Sequence, residues 1–180
     1  MLIERACAND LPAVEALYAE AIDAMRNTPF DIWWEMGMHP TADGLARAQE
    51  AGNLFVARDG ARMLGAFVLD AREGADYARI PWRVDAAPGA VAALHLLAVA
   101  PAARGQGVAR ALVTAAAEEA RHRGAEALRL DVFSNNTPAR ALYQTLGFAD
   151  ICETDIHVGG GLVHASHLME LDLRGDVAHA

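Results

Sequence analysis

The sequence predicts one α/β (α+β) domain, built on a twisted sheet of about six to seven strands flanked by about four helices. Its length of 180 residues fits a single domain that can bury a core without disulfides or a structural metal. Short runs rich in Val, Leu and Ile alternate along the chain with longer segments of helical periodicity. The two clearest helical segments each end at a glycine, Gly124 and Gly147, which is a typical helix stop. We expect residues 1–173 to form the domain and residues 174–180 to be a frayed tail.

Capping and turn residues place the elements of the first half of the chain. Asn9 and Asp10 offer capping oxygens before Pro12, which suits the first turn of a helix. Thr41 can cap a second, shorter helix, and Asp59-Gly60 is a dipeptide typical of a hairpin turn between two strands. An aromatic, irregular segment, 28–40, separates the two helices. The expected elements are strands at 2–6, 54–58 and 62–70 and helices at about 12–26 and 41–51.

The second half of the chain opens with a loop of roughly twenty residues, whose length suggests a functional role. The uncharged stretch that follows, 86–103, is long enough to suggest a membrane span. Its prolines, Pro88 and Pro101, favour instead a buried strand with loops on both sides. The expected elements are strands at 94–99, 127–133, 148–156 and 163–171 and helices at 107–123 and 137–146.

Charge and cysteine content exclude several classes of partner. The net charge is −9, the pI is about 5.1, and no run rich in lysine or arginine occurs, which argues against binding to nucleic acid. No basic and apolar leader follows Met1, so we expect neither a signal peptide nor membrane attachment. Cys7 and Cys152 cannot build a disulfide framework, which favours a reducing, cytoplasmic location. Neither has a histidine partner in a motif, so we expect both to be small buried hydrophobic residues.

The most informative stretch is the loop Arg104-Gly105-Gln106-Gly107-Val108-Ala109-Arg110, which joins a buried strand to a helix. The first amides of a helix have no intrahelical acceptors, and the helix dipole makes that end positive. Small residues leave these amides open to a phosphate, and Arg104 and Arg110 add positive charge, so the loop predicts an anion cradle. A Walker A sequence is absent, and a dinucleotide fingerprint fails at Arg110. A plain helix start with glycines for tight packing is the competing interpretation.

This loop resembles the signature of the GNAT superfamily of acyl-CoA N-acyltransferases, Arg/Gln-x-x-Gly-x-Gly/Ala, which Arg104, Gly107 and Ala109 match. The order of elements is similar over nearly the whole chain. The resemblance implies a mixed, largely antiparallel sheet whose central strand splays from the next strand. It also implies that the amides of the loop hold the pyrophosphate of acetyl-CoA and that Leu97 and Val99 pair with its pantetheine arm. The activity it implies is N-acetylation of a primary amine.

A second stretch, 130–148, resembles the other motif of that family. The matching residues are Asn136, Ala139, Leu142, Tyr143, Gly147 and Phe148. By this resemblance Tyr143 is the candidate general acid, because a phenol of pKa about 10 can protonate a departing thiolate of pKa about 8.5. A core tyrosine is the alternative. Asn136 is expected to contact the cofactor arm, to cap the following helix, or to do both. The oxyanion would be met by a main-chain N–H near residue 98 or 99, as in the family.

The general base is left open by the sequence. His95 is the first candidate, since alternation along a strand would place it on one face with Leu97 and Val99 and its ordinary pKa is about 6.5. A hydrogen-bonded core histidine is the competing interpretation. Glu35 and Asp131 are weaker candidates.

Two functions fit these motifs. One is direct acetyl transfer in a ternary complex with a small-molecule or peptide amine, and the other is a non-catalytic acyl-CoA-binding sensor or interaction domain on the same fold. The three C-terminal-half histidines His157, His164 and His167 lack the spacing of metal ligands, so no metal site is predicted. The last two strands are a candidate homodimer interface, by analogy.

Overall fold

One sheet organises the chain. The computed structural model describes residues 1–71, 75–87, 89–158 and 162–175. Seven strands lie in the order β1-β2-β3-β4-β5-β7-β6. The strands are β1 (Leu2–Arg5), β2 (Leu54–Asp59), β3 (Arg62–Asp70), β4 (Val91–Val99), β5 (Ala127–Phe133), β6 (Ala149–Val158) and β7 (Leu162–Asp172).

Strand pairing is antiparallel except between β4 and β5, which run parallel. The predicted mixed, largely antiparallel sheet is therefore confirmed. A parallel pair needs a long crossover, and one of the four helices lies between these two strands in the chain. The helices are α1 (Leu11–Asp23), α2 (Ala42–Glu50), α3 (Val108–His122) and α4 (Thr137–Thr145).

Helices α1 and α3 both contact β3 and β4, in the middle of the sheet. The buried residues of α1 recur at helical spacing, as the sequence predicted; they are Val14, Leu17, Tyr18, Ala21 and Ile22. A glycine in β3 allows α3 to pack closely. A Cβ atom on Gly65 would lie 2.7 Å from the carbonyl oxygen of Ala98 and 2.8 Å from Cδ1 of Leu112. Any side chain there would push the helix or the neighbouring strand away.

Some element boundaries differ from the prediction. Helix α1 ends at Asp23, before the expected end near 26. Strand β4 begins at Val91 rather than at 94, because residues 91–93 pair with the start of β5. The predicted long loop contains a 3₁₀ turn at Ala75–Arg79. Residues 159–161, and residues 176–180 of the predicted tail, lie outside the described residues.

Within the described part of the chain, no helix is long and apolar enough to cross a membrane. The uncharged stretch that suggested a span contains β4, a strand of the sheet.

Candidate active site

The sheet opens between its two parallel strands. Strands β4 and β5 pair only where residues 91–93 meet residues 127–129. Both strands continue well beyond this pairing, β4 to Val99 and β5 to Phe133, and both segments are fully described. The main chain of the second half of β4 therefore has no ladder partner on the β5 side, which leaves its polar groups available to a ligand. The splayed strands implied by the resemblance are confirmed.

A β-bulge shapes the β4 side of this opening. Leu96 has a φ of +52°, which is uncommon for a residue other than glycine. Ala66 of β3 faces Ala98, whereas Val68 faces His95, so β4 contains one extra residue between these pairs. The bulge interrupts the side-chain alternation, so alternation alone does not place His95 on one face with Leu97 and Val99.

The glycine loop is an open helix start. Gly107 precedes α3 with a φ of +79°, Gly105 has a φ of +75°, and a Cβ atom on either would meet nothing within 4 Å. In this fully described stretch, no side chain caps the helix. The amides that the sequence predicted to bind a diphosphate are therefore not occupied by the protein's own side chains, and they are not obstructed.

Most side chains of the glycine loop contact other parts of the protein, so its backbone offers more to a ligand than they do. Gln106 donates from Nε2 to the carbonyl oxygen of Ala102 at 2.9 Å, and Arg110 donates to Oγ1 of Thr145 at 3.1 Å. Val108 is buried in the core. Arg104 is exposed beside the opening, so it is the cation of the loop best placed to meet an anion there.

Two cavities adjoin at the opening. The smaller, of about 330 Å³, extends from Arg104 along Leu97, Ala98 and Val99. The larger, of about 500 Å³, lies under the 28–40 segment and reaches into the sheet between β4 and β5. Four residues line both cavities and mark where they meet: Ile32, Trp34, Leu97 and Asn136. A long, thin ligand that starts at the glycine loop can thus reach the larger cavity.

Tyr143 lines the larger cavity from helix α4. It is buried, and its ring centroid lies 5.6 Å from that of Phe148. Burial, together with the negative charge of Asp131, raises the pKa of Tyr143, so the phenol keeps its proton throughout the physiological range. Asn136 caps α4 by accepting from the amide of Ala139 at 3.4 Å, and its position on both cavities also leaves it beside any ligand there.

His95 is partly accessible rather than sealed in the core. Its side chain is 30% exposed and lines the larger cavity, and Nε2 lies 3.4 Å from Oδ1 of Asp70, whose side chain is only 4% exposed. A buried carboxylate at this distance can fix the orientation of the imidazole. Of the other base candidates, Asp131 lines the larger cavity, and Glu35 lines neither cavity.

Several residues of the cavity belong to no sequence motif, so the sequence analysis missed them. The hydroxyl of Tyr77 donates to Oδ1 of Asp131 at 2.7 Å. Burial lowers the pKa of His39, Asp131 raises it in part, and His95 lowers it further, so these groups lie within electrostatic reach of one another. The lengths of the 28–40 segment and of the loop after β3 were the only signals for His39 and Tyr77.

The cysteine prediction was wrong in part. Cys7 is exposed, and Cys152 is only half-buried, although burial and then the charge of Asp150 raise the pKa of its thiol. Neither lines the two cavities. Among the described residues, no group of three or more His, Cys, Asp or Glu side chains is arranged to hold a metal ion.

Comparison with known proteins connects this geometry to a family. Residues 15–148 match the model of the acetyltransferase (GNAT) family. Mycothiol acetyltransferase of Renibacterium salmoninarum is 37% identical over 70 residues, which cover 37% of this chain and 21% of that protein. Streptothricin acetyltransferase of Streptomyces lavendulae is 49% identical over 51 residues, which cover 28% of this chain and 27% of that protein. The chain thus spans about a fifth to a quarter of the length of these curated relatives in the matched regions.

Solved structures share the fold over nearly the whole chain. The ribosomal-protein-alanine N-acetyltransferase of Brucella melitensis matches with a TM-score of 0.70 and 25% identity, and the match covers 96% of this chain and 99% of that one. The yncA protein of Salmonella typhimurium, solved with its cofactor acetyl-CoA, matches with a TM-score of 0.69 and 21% identity. That match covers 100% of this chain and 98% of the other.

Proposed function

The chain belongs to the acetyltransferase (GNAT) family, and from this premise we propose that it transfers an acetyl group from acetyl-CoA to a primary amine by direct attack in a ternary complex. The observation that carries the proposal is the continuity of three features: the open start of α3, the unpaired half of β4, and the buried phenol of Tyr143 in the cavity beyond. Residues 1–173 are the proposed acyltransferase domain.

The smaller cavity suits the carrier part of acetyl-CoA. Uncapped amides of residues 105–109 and the guanidinium of Arg104 supply donors and positive charge for a diphosphate. The main chain at Leu97 and Val99 can pair with the amide groups of a pantetheine arm, in the way that one strand adds to another. Asn136 lies on the same path. When bound, acetyl-CoA supplies the reactive thioester.

The larger cavity suits the chemistry of the transfer. The Oη atom of Tyr143 is the proposed proton donor to the departing sulfur, because its raised pKa keeps the phenol protonated and a proton is therefore at hand as the C–S bond breaks and negative charge develops on the sulfur. His95, oriented by Asp70, is the proposed acceptor of the proton that the attacking ammonium group loses, directly or through water. A main-chain N–H near Ala98 or Val99 would stabilise the oxyanion.

The names of the relatives favour a small molecule as the acceptor. Two of them are named for mycothiol and for streptothricin. The larger cavity, at about 500 Å³, is within the range of sites that enclose small ligands. A protein N-terminus is the other acceptor class, since one structural relative is named for a ribosomal protein alanine.

Binding can be tested by thermal denaturation with acetyl-CoA. A concentration 100 times Kd stabilises a folded protein by about 2.7 kcal/mol, which raises Tm by several degrees for a chain of this size. Arg104→Glu reverses a charge beside the diphosphate, and we expect Kd to rise at least about tenfold. Arg47→Glu, an exposed arginine of α2 that lines neither cavity, is the matched control. If the unaltered protein shows no rise in Tm, the proposed function is wrong.

Transfer can be tested by thiol release from acetyl-CoA with a library of primary amines. We expect Tyr143→Phe to lower kcat by about 10²- to 10⁴-fold, the usual contribution of a general acid, without changing the Kd of acetyl-CoA. The chain contains no lysine, so acetylation of its own side-chain amines cannot produce the signal. Binding without thiol release from any amine, or indifference to Tyr143→Phe, would favour the non-catalytic acyl-CoA-binding function.

A further inference from the structure

The larger cavity has an uneven distribution of charge. Three carboxylates line it, those of Asp70, Asp76 and Asp131. No arginine is among the described residues that line it, and the chain has no lysine, since all 15 basic residues other than histidine are arginines. The other described ionisable residues of the lining are three histidines and two buried tyrosines, none of which carries a permanent positive charge. In the part of the lining that the structure describes, an acceptor therefore meets negative charge and no permanent cation.

The three carboxylates differ in their partners. Asp70 lies 3.4 Å from His95, and Asp76 is paired with Arg79 and with the exposed His157. Asp131 accepts a hydrogen bond from the neutral hydroxyl of Tyr77 on Oδ1, and no cationic side chain contacts it within the described part of the chain. Its charge nevertheless acts inside the site, because it raises the pKa of both Tyr143 and His39. Asp131 is thus a carboxylate beside the reacting groups whose charge the protein itself leaves uncompensated.

Aromatic rings line the same cavity as this carboxylate. Tyr77, Trp34, Phe133 and Tyr143 all line the cavity. The negative faces of such rings attract an organic cation, and a partly desolvated site strengthens that attraction. Carboxylates and aromatic rings together are the chemistry that recognises ammonium and guanidinium groups.

We propose that the acceptor is a dicationic amine with no acidic group, and that Asp131 binds the cationic group that is not acetylated. This inference rests on the proposed function and specifies its acceptor. One amine of the acceptor loses a proton and attacks the thioester, while the second cation stays charged and lies against Asp131 and the rings. An amino acid or another acid-bearing amine is disfavoured, because its carboxylate would enter a cavity lined by three carboxylates, and none of the described lining residues is an arginine that could pair with it.

The test uses acceptors matched in length that differ only in charge. Thiol release is measured with 1,4-diaminobutane, butylamine and 4-aminobutanoate, and then with the corresponding six-carbon set. For the unaltered protein we expect kcat/KM for the diamine to exceed that for the monoamine by about tenfold, the scale of one charge-assisted hydrogen bond. We expect the amino acid to be the poorest substrate of each set.

Asp131→Asn removes the charge, while the amide oxygen can still accept from Tyr77. We expect it to raise KM for the diamine about tenfold and to reduce the preference for diamine over monoamine to within about threefold, on the same hydrogen-bond scale. The ratio isolates recognition, because any effect on Tyr143 changes kcat for all acceptors alike. Asp155→Asn, at an exposed position of β6 that lines neither cavity, is the matched control and should leave the ratio unchanged.

The possible outcomes separate the two proposals. If an acid-bearing amine is used as well as the diamine, or if Asp131→Asn leaves the preference intact, the inference on the acceptor is overturned while the acetyltransferase function stands. If acetyl-CoA raises Tm but no amine of any charge releases thiol, the transfer function fails and the inference fails with it.

Discussion

A single hydroxyl from α1 fixes the bulge in β4. Tyr18 is fully buried, and its Oη donates to the carbonyl oxygen of Leu96 at 2.5 Å. Leu96 is the residue with the positive φ, so this hydrogen bond satisfies a carbonyl that the bulge has turned out of the sheet ladder. Residues 97–99 follow the bulge directly and line the smaller cavity, whereas Tyr18 lines neither cavity, so Tyr18 connects the core to the proposed site from outside it.

Tyr18→Phe should lower the stability of the folded protein. The change removes the hydrogen bond to the carbonyl of Leu96, a half-buried residue, so we expect a loss of about 0.5–1.5 kcal/mol in the free energy of unfolding, measured by urea denaturation. Burial also raises the pKa of Tyr18 in the folded state. The unfolded chain therefore loses this proton first, and stability falls as pH rises above the ordinary tyrosine pKa of about 10.

The dependence of the unfolding free energy on pH provides the control. In Tyr18→Phe, the part of the alkaline loss that comes from residue 18 disappears, so the slope of stability against pH above about 10 becomes shallower. Tyr143 also has a raised pKa, so some alkaline loss remains in the variant. An unchanged slope would show that Tyr18 ionises equally easily in both states, which contradicts its burial.

Among individual residues of the site, the sequence predicted those that belong to a motif and missed those that do not. Arg104, Gly107 and Tyr143 occur at fixed spacing within short stretches, and each lies at the opening or in its cavities. Asp70 and His39 come from separate parts of the chain and meet His95 only because β3, β4 and the 28–40 segment converge. A contact between distant segments leaves no local pattern, so sequence periodicity cannot reveal it.

At the scale of elements, the start of α3 combines two requirements. The turn before the helix needs a positive φ at Gly107, and the proposed ligand needs the amides that this turn exposes. An alanine there has space for its Cβ atom but not the preferred conformation. The cost of a left-handed conformation for an ordinary residue is about 1–2 kcal/mol.

Gly107→Ala and Gly60→Ala separate these two requirements. Gly60 has a φ of +57° in the turn between β2 and β3, and a Cβ atom on it would also meet nothing within 4 Å. We expect both variants to lose about 1 kcal/mol of stability. Only Gly107→Ala should also weaken acetyl-CoA binding, because the loop relieves its strain by turning amides away from the ligand. Equal stability loss with equal binding would show that the loop does not hold the carrier.

The helices and strands were well predicted, whereas the bulge in β4 that shapes the site was not. All seven strands and four helices occur close to their expected positions, since each has its own apolar pattern, and capping side chains mark the starts of α2 and α4. The bulge at Leu96 has no such signal. Its stretch reads as a continuous apolar strand, and the extra residue is set by pairing with β3 and by the hydroxyl of Tyr18.

On the scale of the whole molecule, a buried ion pair joins the sheet to the loop that follows β3. Nε of Arg129 in β5 donates to Oε1 of Glu170 in β7 at 3.0 Å, and both side chains are almost fully buried. Oε2 of Glu170 accepts from the amides of Arg83 and Val84 at 2.9 and 3.0 Å. The same loop carries Tyr77, so this pair helps to position one wall of the larger cavity.

Glu170→Gln should therefore destabilise the molecule well beyond the value of one hydrogen bond. The amide oxygen can still accept a hydrogen bond, but the substitution removes the negative charge of the buried pair with Arg129, and breaking a buried pair by removing one charge costs about 3–5 kcal/mol. Asp172→Asn breaks an exposed pair with Arg174 at the end of the same strand, and it should change the unfolding free energy by less than about 1 kcal/mol. Urea denaturation of both variants measures the difference. A similar small loss in both would mean that water reaches Arg129 and that the pair does not hold the loop against the sheet.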